Sequence, residues 1–254
     1  VYEYLGPEVT GTEAAPIGLR QQDYQNPDLW RLLSMTSSPA EVRAYLFETS
    51  VAASGALTLS ATSNQTVDAT VLSGSVAVAG GLLGVGLGGA GSSAVNRIAA
   101  LVEAAIDGGE AGADILAASV SLTATDTSEI TATTEAAALA VGLGALAAGG
   151  AVGIAIARNE IANQVATRIA DATVETTGDV TLESTESATI TAITAAAAAP
   201  GPAGGIAISF AGAGANARNV ILTRTTATIE DSDVDGDAVS LTATSTGTTI
   251  DALV

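Results

Sequence analysis

From residue 57 onward, apolar and polar positions alternate with a period of two. Leu57-Thr58-Leu59-Ser60-Ala61-Thr62 reads as a half-buried strand, because side chains two apart share a face of the pleat. Ser128-Glu129-Ile130-Thr131-Ala132-Thr133 reads the same way. The first pattern returns as Val120-Ser121-Leu122-Thr123-Ala124-Thr125, then as Val180-Thr181-Leu182-Glu183-Ser184-Thr185, then as Val239-Ser240-Leu241-Thr242-Ala243-Thr244. The steps are 63, 60 and 59 residues (57→120→180→239). Two more markers keep that phase. Asn96, Asn159 and Asn219 are 63 and 60 apart, and so are Ile106, Ile169 and Ile229. Recurrence at a fixed spacing, in units too small to bury a face alone, predicts stacking.

Each period follows one order: a Thr-rich alternating strand, a long uncharged stretch, an Arg/Asn segment, and an acidic turn such as residues 171–179. The repeats run over 57–119, 120–179 and 180–238, with a partial one at 239–254. A unit of this length fits three solenoid coils of roughly twenty residues each. The partial repeat stops where its uncharged stretch should start, so the open coil end is expected to be covered by more chain or by another subunit.

Residues 69–96, 136–157 and 187–217 carry no charge. As helices they would be long enough to cross a bilayer. They are dense in glycine, interrupted by Pro200 and Pro202, and lack both an aromatic belt and a basic flank of clear bias. Ser75-Val76-Ala77-Val78-Ala79 and Gly153-Ile154-Ala155-Ile156-Ala157 alternate large and small residues instead. These stretches therefore read as strands with alanine on one face, Gly80-Gly81 and Gly149-Gly150 as turns, and no transmembrane segment is expected.

Residues 1–50 stand apart as a cap or junction. Six of the seven aromatics lie there (Tyr2, Tyr4, Tyr24, Trp30, Tyr45, Phe47), with Pro7, Pro16, Pro27 and Pro39. Ser38 followed by Pro39 predicts a capped helix over residues 40–47. Tyr2, Tyr4, Tyr24 and Trp30 are the candidates for docking onto a neighbour's open coil end.

Composition narrows the chemistry. There is no cysteine and no histidine. That removes disulfides, thiolate metal sites and every nucleophile activated by an imidazole. The net charge of −19 lacks the basic footprint that nucleic acid requires. Catalysis is not expected, since only carboxylates remain and the repeats hold one aromatic, Phe210. Asp231, Asp233, Asp235 and Asp237 open like a calcium loop, with oxygen ligands at positions one, three and five and Gly236 at six. Position twelve is Thr242, so the bidentate glutamate is missing. Ca2+ is the one cofactor this pattern suggests. Residues 108–116 look like a single distorted copy of a calcium-binding nonapeptide. Thr123/Thr125, Thr131/Thr133, Thr189/Thr191 and Thr242/Thr244 present hydroxyls two apart, as ice-binding solenoids do. Asn96, Asn159 and Asn219 read as structural, either turn residues or inward amides linking coils.

Ala217-Arg218-Asn219-Val220-Ile221, the acidic turn, and Gly178-Asp179-Val180-Thr181-Leu182-Glu183-Ser184-Thr185 resemble the repeats of giant secreted bacterial exoproteins. These are the filamentous-haemagglutinin-like and RTX-adhesin-like families. The opening Tyr2-Glu3-Tyr4-Leu5-Gly6-Pro7 resembles the inserts between such repeats. The resemblance implies an all-β, right-handed parallel β-helix, secretion to the cell surface, and an adhesive or scaffolding role. On that basis the chain is expected to be an extracellular rod that self-associates end to end or continues into further repeats, and binds a cell-surface or glycan ligand. A calcium-stabilised adhesin module, a glycan-active β-helix enzyme and an ice-binding solenoid are the alternatives.

Overall fold

The computed structural model describes residues 2–4, 30–32, 39–201 and 203–254. Two compact units divide between Ser38 and Pro39. In the first, β1 (Tyr2–Tyr4) and β2 (Trp30–Leu32) form an antiparallel pair with Tyr4 opposite Trp30. Tyr24 lies outside the described residues.

The second unit is all-β and parallel, with a solenoid-like path in four layers. The first layer holds β3 (Ala40–Phe47), β4 (Val51–Ala52) and β5 (Ala56–Ile98). The second holds β6 (Ala100–Asp107), β7 (Ala113–Ala117) and β8 (Ser119–Ile161). The third holds β9 (Gln164–Ala170), β10 (Ala172–Thr176), β11 (Val180–Pro200) and β12 (Ala203–Ile221). The fourth holds β13 (Arg224–Glu230), β14 (Asp233–Asp235), β15 (Val239–Ser245) and β16 (Thr249–Leu253). Each strand pairs in parallel with its counterpart one layer away.

The registers join the sequence recurrences directly. Leu57 pairs with Val120, Val120 with Val180, and Val180 with Val239. Ile106 pairs with Ile169 and Ile169 with Ile229. A strand's neighbour is therefore about one whole sequence period away. The expected three coils of twenty residues are replaced by a single large layer per period. Alternation reveals strands but is blind to how far along the chain their partners lie, so it does not fix the number of coils in a period.

The helix expected at 40–47 is also corrected: it is β3. Val42, Ala44 and Leu46 face inward while Glu41, Arg43, Tyr45 and Phe47 face out. Pairing along its length with Ala100–Asp107 outweighs the Ser38-Pro39 capping signal. Of residues 108–116, the distorted nonapeptide, 108–112 form a corner insertion and 113–116 belong to β7. Pairing steps from 60 residues at Arg43 with Glu103 to 64 at Ser50 with Asp114, so four residues are gained there.

Two regions differ in thickness. The body is enclosed by the three short-strand walls: β3/β6/β9/β13, β4/β7/β10/β14, and the first turns of β5/β8/β11 with β15. Its core is branched and bulky, with Val102, Ile106, Ile115, Leu122, Val165, Ile169 and Leu182 essentially inaccessible. Beyond the body, β5 and β8 run outward and fold back on themselves near Gly81 and Gly144, while in the third layer β11 is the outgoing wall, ending at Pro200, and β12 is the return wall, beginning at Ala203. The result is a thin two-walled arm, the fin. Its folding-back is fixed by close approach. A Cβ on Gly84 would stand 2.3 Å from the carbonyl oxygen of Leu143, and one on Gly86 2.6 Å from that of Val141. Leu143 and Val141 are the register partners of Gly80 and Val78, so residues 84–86 face residues 78–80. The fin's distal core is Ala138, Ala140 and Ala151, with Ala90 and Ala198 against them. Its alternation is inverted: small residues, alanine and glycine with Ser73, Ser75 and Ser92, point in, and Val76, Val78, Leu82, Leu87, Ile208 and Phe210 point out, all more than half exposed.

Candidate functional site

Where the body narrows into the fin, the inward face turns polar. Val120, Leu122 and Ala124 face inward on β8, and by the same alternation so does Asp126. In the next layer that position is Glu186, the register partner of Asp126. Both carboxyl groups have no accessible surface. They stand one strand apart, ~4.8 Å, where like charges oppose each other unfavourably. A set of donors compensates. Asp126 Oδ2 accepts from Ser128 Oγ at 2.9 Å and from Asn163 Nδ2 at 2.6 Å. Asn163 also donates to Ser128 Oγ, and its Oδ1 accepts from the backbone N–H of Ala100 at 2.9 Å. Glu186 Oε2 accepts from Ser245 Oγ at 2.6 Å and Thr223 Oγ1 at 3.2 Å. Asp126 Oδ1 and Glu186 Oε1 have no hydrogen-bond partner among the described residues. This seam plugs the body core from the smaller cluster of Ile98, Ile130, Ile161 and Ile190 at the fin's foot. Its burial keeps it from any solvent-borne substrate, and what it supplies is register: only aligned layers place each donor on its acid.

The three asparagines lie in one inward column at the foot of the return wall. Asn96 Nδ2 donates to Asn159 Oδ1, and Asn159 Nδ2 donates to Asn219 Oδ1, both at 2.8 Å. Asn159 is buried and its neighbours are half-buried. Asn159→Leu leaves a donor of Asn96 and an acceptor of Asn219 without partners. Because water reaches both, the expected cost is about 2 kcal/mol. Thermal unfolding checks this as a fall in Tm of roughly 4–8 °C.

The acidic residues proposed as calcium ligands lie at the other end of the body. Asp231 occupies a corner at φ 46°, in the same left-handed setting as Glu48 at 47° and Asp171 at 49°. Gly108 holds the matching corner of the second layer. A Cβ there would meet the Asp171 carbonyl oxygen at 1.8 Å, so only glycine fits. Within the stretch read as a calcium loop, residues 233–235 form strand β14. Asp233 and Asp235 both point outward from it, opposite Thr173 and Glu175, and Asp237 follows β14. Strand geometry spaces such carboxylates ~6.6 Å apart along a face rather than wrapping them round one point. Among the described residues no group of three or more His, Cys, Asp or Glu is placed to hold a metal ion. Asp114, Asp171, Asp231 and Asp233 line an open acidic recess there with Ser50 and Glu110.

Threonine columns form in part. Thr62, Thr125, Thr185 and Thr244 are register partners through all four layers. Others are broken, since Thr131 adjoins Asp68, Thr189 adjoins Glu129, and Thr133 adjoins Ile193.

Two features escaped the sequence reading. One is the seam, although its signal was present: Asp126 and Glu186 fall on the inward phase of a strand whose other inward residues are apolar. The other is a basic column outside the foot of the return wall. Arg158 and Arg218 are register partners and both exposed. Nearby, Arg97 pairs with Glu160 at 3.3 Å. These residues line a shallow outer recess with Val95 and Val220. No family model, no curated protein and no solved structure matches the chain.

Proposed function

We propose that this chain is a structural and adhesive element: a right-handed parallel β-helix of tandem repeats, one layer per ~60 residues, that extends end to end outside a bacterial cell. The observation that carries this reading is the interior leucine column. Leu59, Leu122, Leu182 and Leu241 are register partners. Leu122 and Leu182 are fully buried, whereas Leu241 is 43% exposed. Val239 and Ile250 on the same end layer are exposed alike. Among the described residues the strands of the first and fourth layers have a neighbour on one side only. Unpaired parallel edges over an apolar interior are a template for another layer in the same register. The acidic surface keeps such a template soluble and discourages pairing in wrong registers. The seam and the asparagine column then serve as register keys for each added layer. The adhesive and extracellular parts of the reading draw on the resemblance to giant exoprotein repeats.

Sedimentation velocity over a concentration series tests the reading. The chain is expected to grow into linear oligomers. Leu241→Lys, which puts a charge on the exposed end of the column, is expected to shift it to monomer without loss of β-structure. A parent chain that stays monomeric at high concentration would contradict the proposal.

A further inference from the structure

The fin is built inside out for a water-soluble sheet. Its walls bury small residues, mostly alanine and glycine with a few serines, against each other and turn Leu72, Val76, Val78, Ile206, Ile208 and Phe210 outward. The large residues interlock on that outer face. Gly150 leaves a gap between its register partners Leu87 and Phe210, and their side chains close over it. Outward apolar groups lie on both walls and on the tip, where Leu82 is 84% exposed. The tip segments, Gly80-Gly81-Leu82-Leu83-Gly84 and Gly144-Ala145-Leu146-Ala147, hold no polar side chain at all. Turns that face water are normally polar.

We propose that the fin inserts tip-first into a lipid acyl layer, with Arg158 and Arg218 at its foot meeting lipid phosphates. Four observations favour lipid over a second copy of the chain. A partner laid against one wall leaves the opposite wall and the tip in water, while tip-first insertion covers all three together. Charge is zoned by height: Asp68, Glu129 and Glu135 end on the outgoing wall where the uncharged runs begin, and the return wall meets Arg97, Arg158 and Arg218 where they end. The uncharged part of each wall is about nine to fifteen residues, which at ~3.3 Å per residue reaches roughly 30–50 Å, enough for a hydrocarbon layer of ~30 Å. Lastly, Arg158 and Arg218 stand side by side as like charges, and an anionic phosphate between them relieves that repulsion. Backbone groups in the middle layer are satisfied by the ladders on either side. Among the described residues the fin's outermost strands, β5 on one side and β11 with β12 on the other, have edges that need cover in lipid, so the proposal rests to that extent on further layers being added in register. Insertion from one side differs from the helical spans weighed in the sequence. Among the described residues no helix could cross a membrane, which leaves strands unaddressed.

The absence of cysteine makes a clean test. Leu82→Cys and, as a body control, Glu110→Cys are each labelled with an environment-sensitive fluorophore and mixed with phosphatidylcholine vesicles. The label at position 82 is expected to shift to the blue and become inaccessible to aqueous iodide, while that at 110 does not change. A triple variant, Leu83→Asp with Leu146→Asp and Ile208→Asp, alters exposed positions and so should fold. It is expected to lower the vesicle-bound fraction by about tenfold or more, since charge on a lipid-facing wall is costly. Arg158→Ala with Arg218→Ala is expected to lower it several-fold. The proposal is overturned if the label at 82 stays wet with vesicles, or if the triple variant binds like the parent. It is equally overturned if the blue shift appears without vesicles and follows self-association, which assigns the fin to a second copy. Sedimentation without vesicles reports stacking separately, so failure of one reading is not mistaken for failure of the other.

Discussion

Replacing Gly142 with valine is expected to separate the fin's walls while leaving the body folded. Gly142 faces inward between the two walls of the second layer. A Cβ there would lie 2.4 Å from the carbonyl oxygen of Ala148 and 2.7 Å from that of Gly84. Both obstacles are backbone, so no rotamer change relieves the clash. The walls must part, and the alanine contacts that depend on their closeness weaken together. The expected cost is about 3 kcal/mol, the upper end for overpacking. Hydrogen exchange gives the sharper readout. Amides of residues 136–157 should exchange faster, and those of Val102, Leu122 and Ile169 should keep their protection. Gly74 is the control. It lies on the outer face of the same fin with open space around its Cβ position. Gly74→Val is expected to change stability by less than about 0.5 kcal/mol. If the two variants behave alike, the fin is not a closed pair of walls.

The second large effect belongs to the seam. Asn163→Leu removes both amide donors to the Asp126 and Ser128 pair and the acceptor for the Ala100 N–H. Asp126 already has one buried oxygen without a partner. Losing a second support leaves its carboxyl group stranded in the interior. Such a loss costs about 3–5 kcal/mol, a fall in Tm of roughly 6–20 °C. Asp126→Leu in the same background removes the stranded group, and the double variant should recover part of the loss. Strongly non-additive costs in this cycle are the expected result, because the two side chains share one network. Additive costs would mean that the hydrogen bonds between them carry little.

Much of the fold could be read before the structure, and the limits are instructive. Leu57, Val120, Val180 and Val239 announced the register, since each is the partner of the next. The asparagine and isoleucine markers did the same. What alternation could not show was where the chain turns. In residues 136–157 every residue is small or apolar, so no charge or polar turn marks the reversal near Gly144. That reversal makes one long layer out of what otherwise reads as several short coils. Val76 and Ala77 were legible as opposite faces of a strand, but which face pointed in was not. General experience puts the larger side chain inside. Here the walls approach too closely for anything much larger than alanine or serine, and the larger ones are left outside. The 40–47 segment failed for a different reason. Ser38-Pro39 is a sound local helix signal, and the partner that overrode it, Ala100–Asp107, is sixty residues away.

The central claim is that each sequence period forms one layer paired with the next. Oxidation of paired cysteines in this otherwise cysteine-free chain tests it most directly. Ser60 and Thr123 are register partners on an outward face. Their Cα atoms stand about one strand spacing apart, ~4.8 Å, within disulfide reach. Ser60→Cys with Thr123→Cys is expected to close an intrachain disulfide readily under mild oxidation. Ser60→Cys with Gly80→Cys should remain reduced, because those residues lie along one wall about 66 Å apart at ~3.3 Å per residue. Closure of the 60–80 pair and not of the 60–123 pair would restore short coils of about twenty residues and contradict the layered account.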